Sequence, residues 1–316
     1  MRKLLLCAVI SFAAAGAASA QSGQPAQPEK LYASAADVTA LIAKAKVDRK
    51  NNEPRVPEGI LRLAPYSATL EYRPAVGPAS IHHKQVELFL VIDGSATIVT
   101  GGKLVNPSGA DADNPNGTAV EGGTSQNISK GDLVLVPENT PHWFSSIPQT
   151  LSVMSLHMPR PVAPVPGATG AAGKPTEGKL YGSVADIEAL VAKAKAIRKD
   201  QANIPQTLLP LDPYNVNIEY RASVGNATVH VREAEMFYVV DGSATLVTGG
   251  KLVNQAKAAP DAENLAGDSI EGGTTRQIGK GDFIFVPENT PHWFSKIPGT
   301  LVVMSLHVPR PVPGGN

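Results

Sequence analysis

Apolar residues in this chain fall mostly into short alternating runs, the pattern of half-buried strands. Tyr66 to Tyr72, Val86 to Ile92, Ala96 to Val99, Leu133 to Val136 and Leu151 to Leu156 each read as a strand. Asp93-Gly94 and Gly101-Gly102 predict tight turns between them. So many short strands at close spacing predict an all-β fold, with a jelly-roll barrel as the leading architecture. Two segments break the pattern with helical spacing. In LYASAADVTALIAKAKVDR, residues Leu31, Val38, Leu41, Ile42 and Ala45 share a stripe and Ser34 stands as the cap. LYGSVADIEALVAKAKAIR repeats it at 180–198. Each predicts an amphipathic helix that covers a sheet edge or face, with a lid over a ligand as the other reading.

The pattern occurs twice. ASIHHKQVELFLVIDGSATIVTGGKLVN at 79–106 returns as ATVHVREAEMFYVVDGSATLVTGGKLVN at 227–254, and PENTPHW at 137–143 returns unchanged at 287–293. The expected organisation is an N-terminal domain at 29–160, a Pro/Gly/Ala linker at 161–178 and a C-terminal domain at 179–311. Asn106–Val120 reads as a surface loop whose counterpart, Asn254–Ile270, is longer and only loosely similar. A length of 316 residues, 42% of them apolar, suffices for two cores.

Composition narrows the setting. Met1-Arg2-Lys3, an apolar stretch from Leu4 to Ala15 and the ending Ala18-Ser19-Ala20 read as a secretory signal cleaved near Ala20, too short to cross a bilayer. Residues 1–20 are therefore set apart from the fold, and the expected location is periplasmic or secreted. The only cysteine, Cys7, falls inside that signal, so the exported chain would carry no disulfide. Basic and acidic residues number 28 each, without a basic block to neutralise phosphates. Nucleic acid and membrane are thus not expected partners. With aromatics at 5%, a small-molecule substrate fits better than a long polymer, and a homo-oligomer stays open.

Six of the seven histidines pair across the repeat: His82 with His230, His142 with His292, and His157 with His307. His83 answers to Val231 and reads as an outward or rim residue. Glu87 and Glu235 each begin an otherwise apolar strand, LFLVI and MFYVV. An ionised carboxylate there is costly unless a cation or donor meets it.

These spacings resemble the cupin superfamily, and the double occurrence resembles an exported bicupin. Its first motif, a histidine followed by a glutamate and a glycine, is matched by His82, Glu87 and Gly94 and again by His230, Glu235 and Gly242. The second is matched by Gly131, Pro137 and His142 and by Gly281, Pro287 and His292. Two departures recur. Ser80 and Thr228 stand where the motif's first histidine would be, and Asn139 and Asn289 replace its second-motif glycine. The resemblance implies two tandem jelly-roll barrels, each preceded by a helix. It also implies a metal face of two histidines and one carboxylate in each: His82, Glu87 and His142, and His230, Glu235 and His292. A divalent transition metal per domain is expected, Fe(II) or Mn(II) ahead of Zn(II) or Ni(II), with open positions for water, dioxygen or a chelating substrate.

Around this face, Trp143 and Trp293 are expected to pack away from the ligands, while Phe144 and Phe294 could face the cavity. His157 and His307, with Ser80 and Thr228, are the candidate catalytic or orienting groups. Glu71-Tyr72-Arg73 and Glu219-Tyr220-Arg221 read as edge-strand ion pairs, with substrate orientation as the other reading. The expected function is a metal-dependent enzyme acting on a small oxygen-bearing metabolite. An oxygenase leads, a lyase or isomerase follows, and a non-catalytic ligand or metal carrier and a purely structural barrel pair are the remaining readings.

Overall fold

The computed structural model describes residues 28–160, 179–259 and 263–310. The signal expected at 1–20 and the linker expected at 161–178 lie outside the described residues. Among these, no helix is long and apolar enough to cross a membrane.

The fold is all-β, two jelly-roll barrels of matching topology. In the N-terminal half the strand order is Val56–Leu63, Tyr66–Arg73, Leu151–Pro159, Gln85–Thr100, His142–Ser146, Ala79–Ser80 and Asn116–Gly117. Leu133–Val136 and Thr124–Ser129 add to the long central strand, Gln85–Thr100. The C-terminal half repeats this around Glu233–Thr248.

Each central strand is buried on both faces, which explains its near-continuous apolar run. Phe89 and Val91 point into the barrel with Ile98, Val134, Phe144 and Val153. Leu88 and Leu90 point the other way, into a core that also holds Met154, Leu156, Met236, Met304 and Leu306 and so spans both halves.

One expected turn is not a turn. Asp93-Gly94 lies within the continuous strand Gln85–Thr100, where the register against Leu151–Pro159 shifts between Ser152 and Val153. A bulge bends the strand so that it serves both sheets of its barrel. Gly94 has φ +81°, and a Cβ there would lie 2.0 Å from the Thr150 carbonyl oxygen. Gly242 repeats this against Thr300 with φ +82°.

Helix α1, Ala35–Asp48, and helix α2, Val184–Ile197, begin where the stripes predict. Ser34 and Ser183 form capping boxes with Asp37 and Asp186, each such cap contributing about 1 kcal/mol. Ala45 of α1 packs with Val56 and Tyr72, so the helix covers the outer sheet face of its own half. The approach to each helix, however, belongs to the other half. Tyr32–Ala33 pairs with Phe283 and Ile284, and Tyr181–Gly182 pairs with Leu133 and Val134. Asp282 accepts from the Tyr32 hydroxyl at 2.9 Å and the Ala35 amide at 2.9 Å. Asp132 accepts likewise from Tyr181 at 2.9 Å and Val184 at 3.0 Å. An aspartate at a helix N-terminus also meets the positive end of its dipole. Burial and these carboxylates push both tyrosine hydroxyls up to about 12.

Candidate metal centre

Three segments bring the N-terminal cluster together. Glu87 sits at the start of the central strand, His142 opens the strand His142–Ser146, and His82 lies in the short connection after Ala79–Ser80. Asn139 has φ +59° and Asn289 φ +57°, and their amides donate to the His82 and His230 carbonyls at 2.8 Å. Asparagine tolerates this left-handed conformation better than other non-glycine residues, so losing the motif glycine leaves the histidine loop clamped.

Glu87 is buried, with Oε2 lying 3.3 Å from His82 Nε2 and 3.1 Å from His142 Nε2. Oε2 of Glu235 lies 3.2 Å from both His230 Nε2 and His292 Nε2. Neither Oε2 has a hydrogen-bond partner among the described residues. Each triad offers three ligand atoms within 4.8 Å of one another, a set able to bind a metal. An orphaned buried carboxylate oxygen facing two imidazole nitrogens fits a cation better than a closed polar network.

The tautomers agree. Asn114 donates through Nδ2 to Asp111 at 2.8 Å, which fixes its Oδ1 as the acceptor 2.6 Å from His82 Nδ1. Nδ1 of His82 then carries the proton and Nε2 presents a lone pair to the cluster. His142 Nδ1 faces the Thr140 carbonyl at 3.3 Å, and His292 Nδ1 faces that of Thr290 at 3.3 Å. Asn114 was not singled out by sequence. Its only signal is the faint echo of Asp-Ala-Asp-Asn at 111–114 in Asp-Ala-Glu-Asn at 261–264.

His157 joins the site from the last strand, opposite Glu87 in register, with Nε2 3.2 Å from Glu87 Oε1. Ser155 donates to the same oxygen at 2.6 Å. Burial pushes the Glu87 pKa upward, yet His157, His142 and His82 together hold it well below the usual carboxylate range. Burial lowers the His157 pKa, but Glu87 outweighs it and the net shift is upward, with Arg55 opposing. His307 contacts both Glu235, at 3.5 Å, and Glu233, at 3.4 Å. Burial lowers it, Glu235 and Glu233 outweigh burial, and its pKa rises to about 9.

The other candidates sort differently. Ser80 is the register partner of His142 but donates to Asn116 at 3.2 Å, and Thr228 is the register partner of His292. His83 is at the rim, 2.8 Å from Asn139 Oδ1. Trp143 packs on the outer face and donates to the Gly77 carbonyl at 2.9 Å, whereas Phe144 lies inside against Phe89. The Glu71–Arg73 and Glu219–Arg221 pairs form, both at 2.6 Å, but not at an edge. Their strands have neighbours on both sides, and both glutamates are buried facing inward.

Neither a scan of protein-family models nor a search of curated proteins gives a match to the sequence. Solved structures do resemble the fold. A salicylate 1,2-dioxygenase from Pseudaminobacter salicylatoxidans aligns over 90% of this chain and 86% of its own, with a TM-score of 0.57 and 13% identity. A variant of that enzyme in complex with gentisate aligns over 90% and 84%, with a TM-score of 0.56 and 14% identity. A cupin 2 conserved barrel domain protein from Leptotrichia buccalis aligns over 84% and 93%, with a TM-score of 0.49 and 10% identity. The likeness is one of fold: the chain shares its β architecture with the salicylate 1,2-dioxygenase.

Proposed function

We propose that this protein is an exported, metal-dependent bicupin enzyme that acts on a small oxygen-bearing metabolite through an oxygenase-type reaction. One observation carries the metal reading. In both halves a buried glutamate oxygen has no hydrogen-bond partner and faces two imidazole nitrogens at 3.1–3.3 Å. His82, Glu87 and His142 would hold one ion, and His230, Glu235 and His292 the other. The metal would supply a Lewis-acid centre with open positions for a chelating substrate and dioxygen.

The chain's own residues do the rest. Asn114 orients His82, while Ser155 and His157 hold Glu87 through its other oxygen. Phe89 and Phe144 line the barrel behind the cluster and exclude water from that side. The oxygenase reading draws support from the fold shared with salicylate 1,2-dioxygenase, and so from fold-level likeness. A lyase or isomerase reading has a different support: His157 Nε2, 3.2 Å from Glu87, is placed to move a proton beside the cluster.

The test begins with elemental analysis of correctly exported protein. Two transition-metal ions per chain are expected, falling to one in His142→Ala and one in His292→Ala. Retention of both ions in either variant refutes the ligand sets. Oxygen uptake with a panel of hydroxy acids, diketones, salicylate and gentisate then separates the readings. Turnover without oxygen consumption would replace the oxygenase with the lyase or isomerase.

A further inference from the structure

The two barrels share a scaffold but not a charge. In both halves a buried inward glutamate, Glu71 or Glu219, is bonded by an arginine from its own strand, Arg73 or Arg221. Each arginine lies over an interior phenylalanine ring, Arg73 on Phe144 at 4.6 Å and Arg221 on Phe294 at 4.5 Å. Here the equivalence ends. The second partner of Glu71 is Arg55, at 2.7 Å, whereas the second partner of Glu219 is Asn203, at 3.1 Å. A further difference stands beside the metal face. Glu233 lies 3.4 Å from His307, where the N-terminal half has Gln85 at the same register opposite Pro159.

These groups are close to the clusters. Ser155 donates to Glu87, while the matching Ser305 donates to Glu219 at 2.8 Å. The equivalent serine thus reaches the cluster glutamate in the first half and the inward glutamate in the second. Besides the histidines, the N-terminal interior holds two guanidinium groups, Arg55 and Arg73, and two carboxylates, Glu71 and Glu87. Besides the matching histidines, the C-terminal interior holds one guanidinium group, Arg221 paired with Glu219, and two further carboxylates, Glu233 and Glu235. Position for position, Asn203 in place of Arg55 and Glu233 in place of Gln85 make the second interior two charges more negative than the first, and a divalent ion in each keeps that difference. Arg73 is committed to Glu71 through both Nε, at 2.8 Å, and Nη2, at 2.6 Å. Arg55 meets Glu71 through Nη1 while half its side chain stays exposed, so it spans solvent and interior.

Building on the metal reading above, we infer that the N-terminal half alone takes an anionic, carboxylate-bearing ligand, with Arg55 as its anchor, while the C-terminal half discriminates against anions. A guanidinium pairs with a carboxylate through charge-assisted hydrogen bonds, and a carboxylate entering beside Glu233 meets like charge.

The experiment uses the full-length chain loaded with Mn(II), with glycolate as the smallest 2-hydroxy acid and glycolamide as its neutral counterpart. Paramagnetic relaxation of the ligand protons reports binding at each ion. One glycolate per chain is expected, bound at least about tenfold more tightly than glycolamide. Arg55→Asn should keep both metals and abolish that preference. Asn203→Arg combined with Glu233→Gln should create a second glycolate site. Two glycolates per wild-type chain, no glycolate on a chain that carries two metals, or an unchanged preference in Arg55→Asn would each overturn the inference. A chain that takes up no metal overturns the metal reading and this one with it, and the metal count tells the two failures apart.

Discussion

Replacing Asn114 by alanine tests the site where sequence gave least warning. The amide holds His82 Nδ1 at 2.6 Å and is itself anchored by Asp111 at 2.8 Å, so His82 presents Nε2 to the cluster in a preset tautomer and orientation. Without it, His82 must select that tautomer and rotamer at the moment of binding. Loss of such an orienting partner typically weakens metal affinity about 10–100-fold, or about 1.4–2.7 kcal/mol. The C-terminal half provides the control. Asn264 uses its Oδ1 to accept from the Val231 amide at 3.2 Å, and His230 Nδ1 has no partner among the described residues. Asn264→Ala should therefore leave the affinity of the C-terminal site within about threefold of its starting value, since no orienting bond to His230 is lost. Competitive titration with a chromophoric chelator resolves the two sites as two steps. Asn114→Ala should displace only one step; equal displacement by both variants, or none by Asn114→Ala, refutes the assigned role.

Two further tests concern the scaffold. Gly94→Ala should cost at least about 2 kcal/mol, because φ +81° disfavours any side chain and the added Cβ meets the Thr150 carbonyl oxygen at 2.0 Å. Gly122→Ala, at φ +71° with nothing within 4 Å, should cost only about 1 kcal/mol, so equal denaturation midpoints for the two variants would contradict the bulge argument. The capping aspartate of α2 gives a pH signature. Lys179 and Ser183 lower the Asp186 pKa from 3.8 to about 2, so its contribution is present above 3.8 and lost as pH falls through about 2. The stability gap between wild type and Asp186→Asn should accordingly be flat at neutral pH and close only in that acid window, as urea titrations across pH would show.

What could be read in the chain depended on how local the determining physics is. Leu133–Val136 and the starts of both helices follow from alternation, period and a capping serine, all contained within a few residues. The ligand triads were accessible because their spacing is carried by strand and turn lengths, and the repeat brings both copies into register. Asp93-Gly94 misled because the same dipeptide serves a hairpin turn and a bulge, and only pairing with the distant Ser152 and Val153 decides between them. Glu71–Arg73 was visible as a pair but not as an interior one, since an edge is defined by neighbours far off in sequence. Asn114 lay in the one loop where the repeats diverge, so comparing halves could not isolate it.

Exchange of the approach segments binds the two centres into one mechanical unit. Tyr181–Gly182 pairs with Leu133 and Val134, and those residues pair with Leu90 and Phe89, two or three positions from Glu87. Tyr32–Ala33 stands in the same relation to Glu235 through Phe283 and Ile284. The frame of each cluster is therefore completed by chain from the other half. Asp282→Ala would remove the acceptor for the Tyr32 hydroxyl, the Ala35 amide and the Gly279 amide, bonds of 2.9, 2.9 and 3.0 Å. Hydrogen bonds to a charged acceptor contribute about 1.5–3 kcal/mol each, and water recovers part of this at the half-buried helix start, so a loss of about 3 kcal/mol is expected. Hydrogen exchange should then quicken at Tyr32, Ala33 and Phe283–Val286 while Leu133–Val136 keeps its protection. Uniform quickening in both barrels would show global destabilisation instead, and unchanged exchange at Tyr32 and Ala33 would show that Asp282 does not hold the crossing segment.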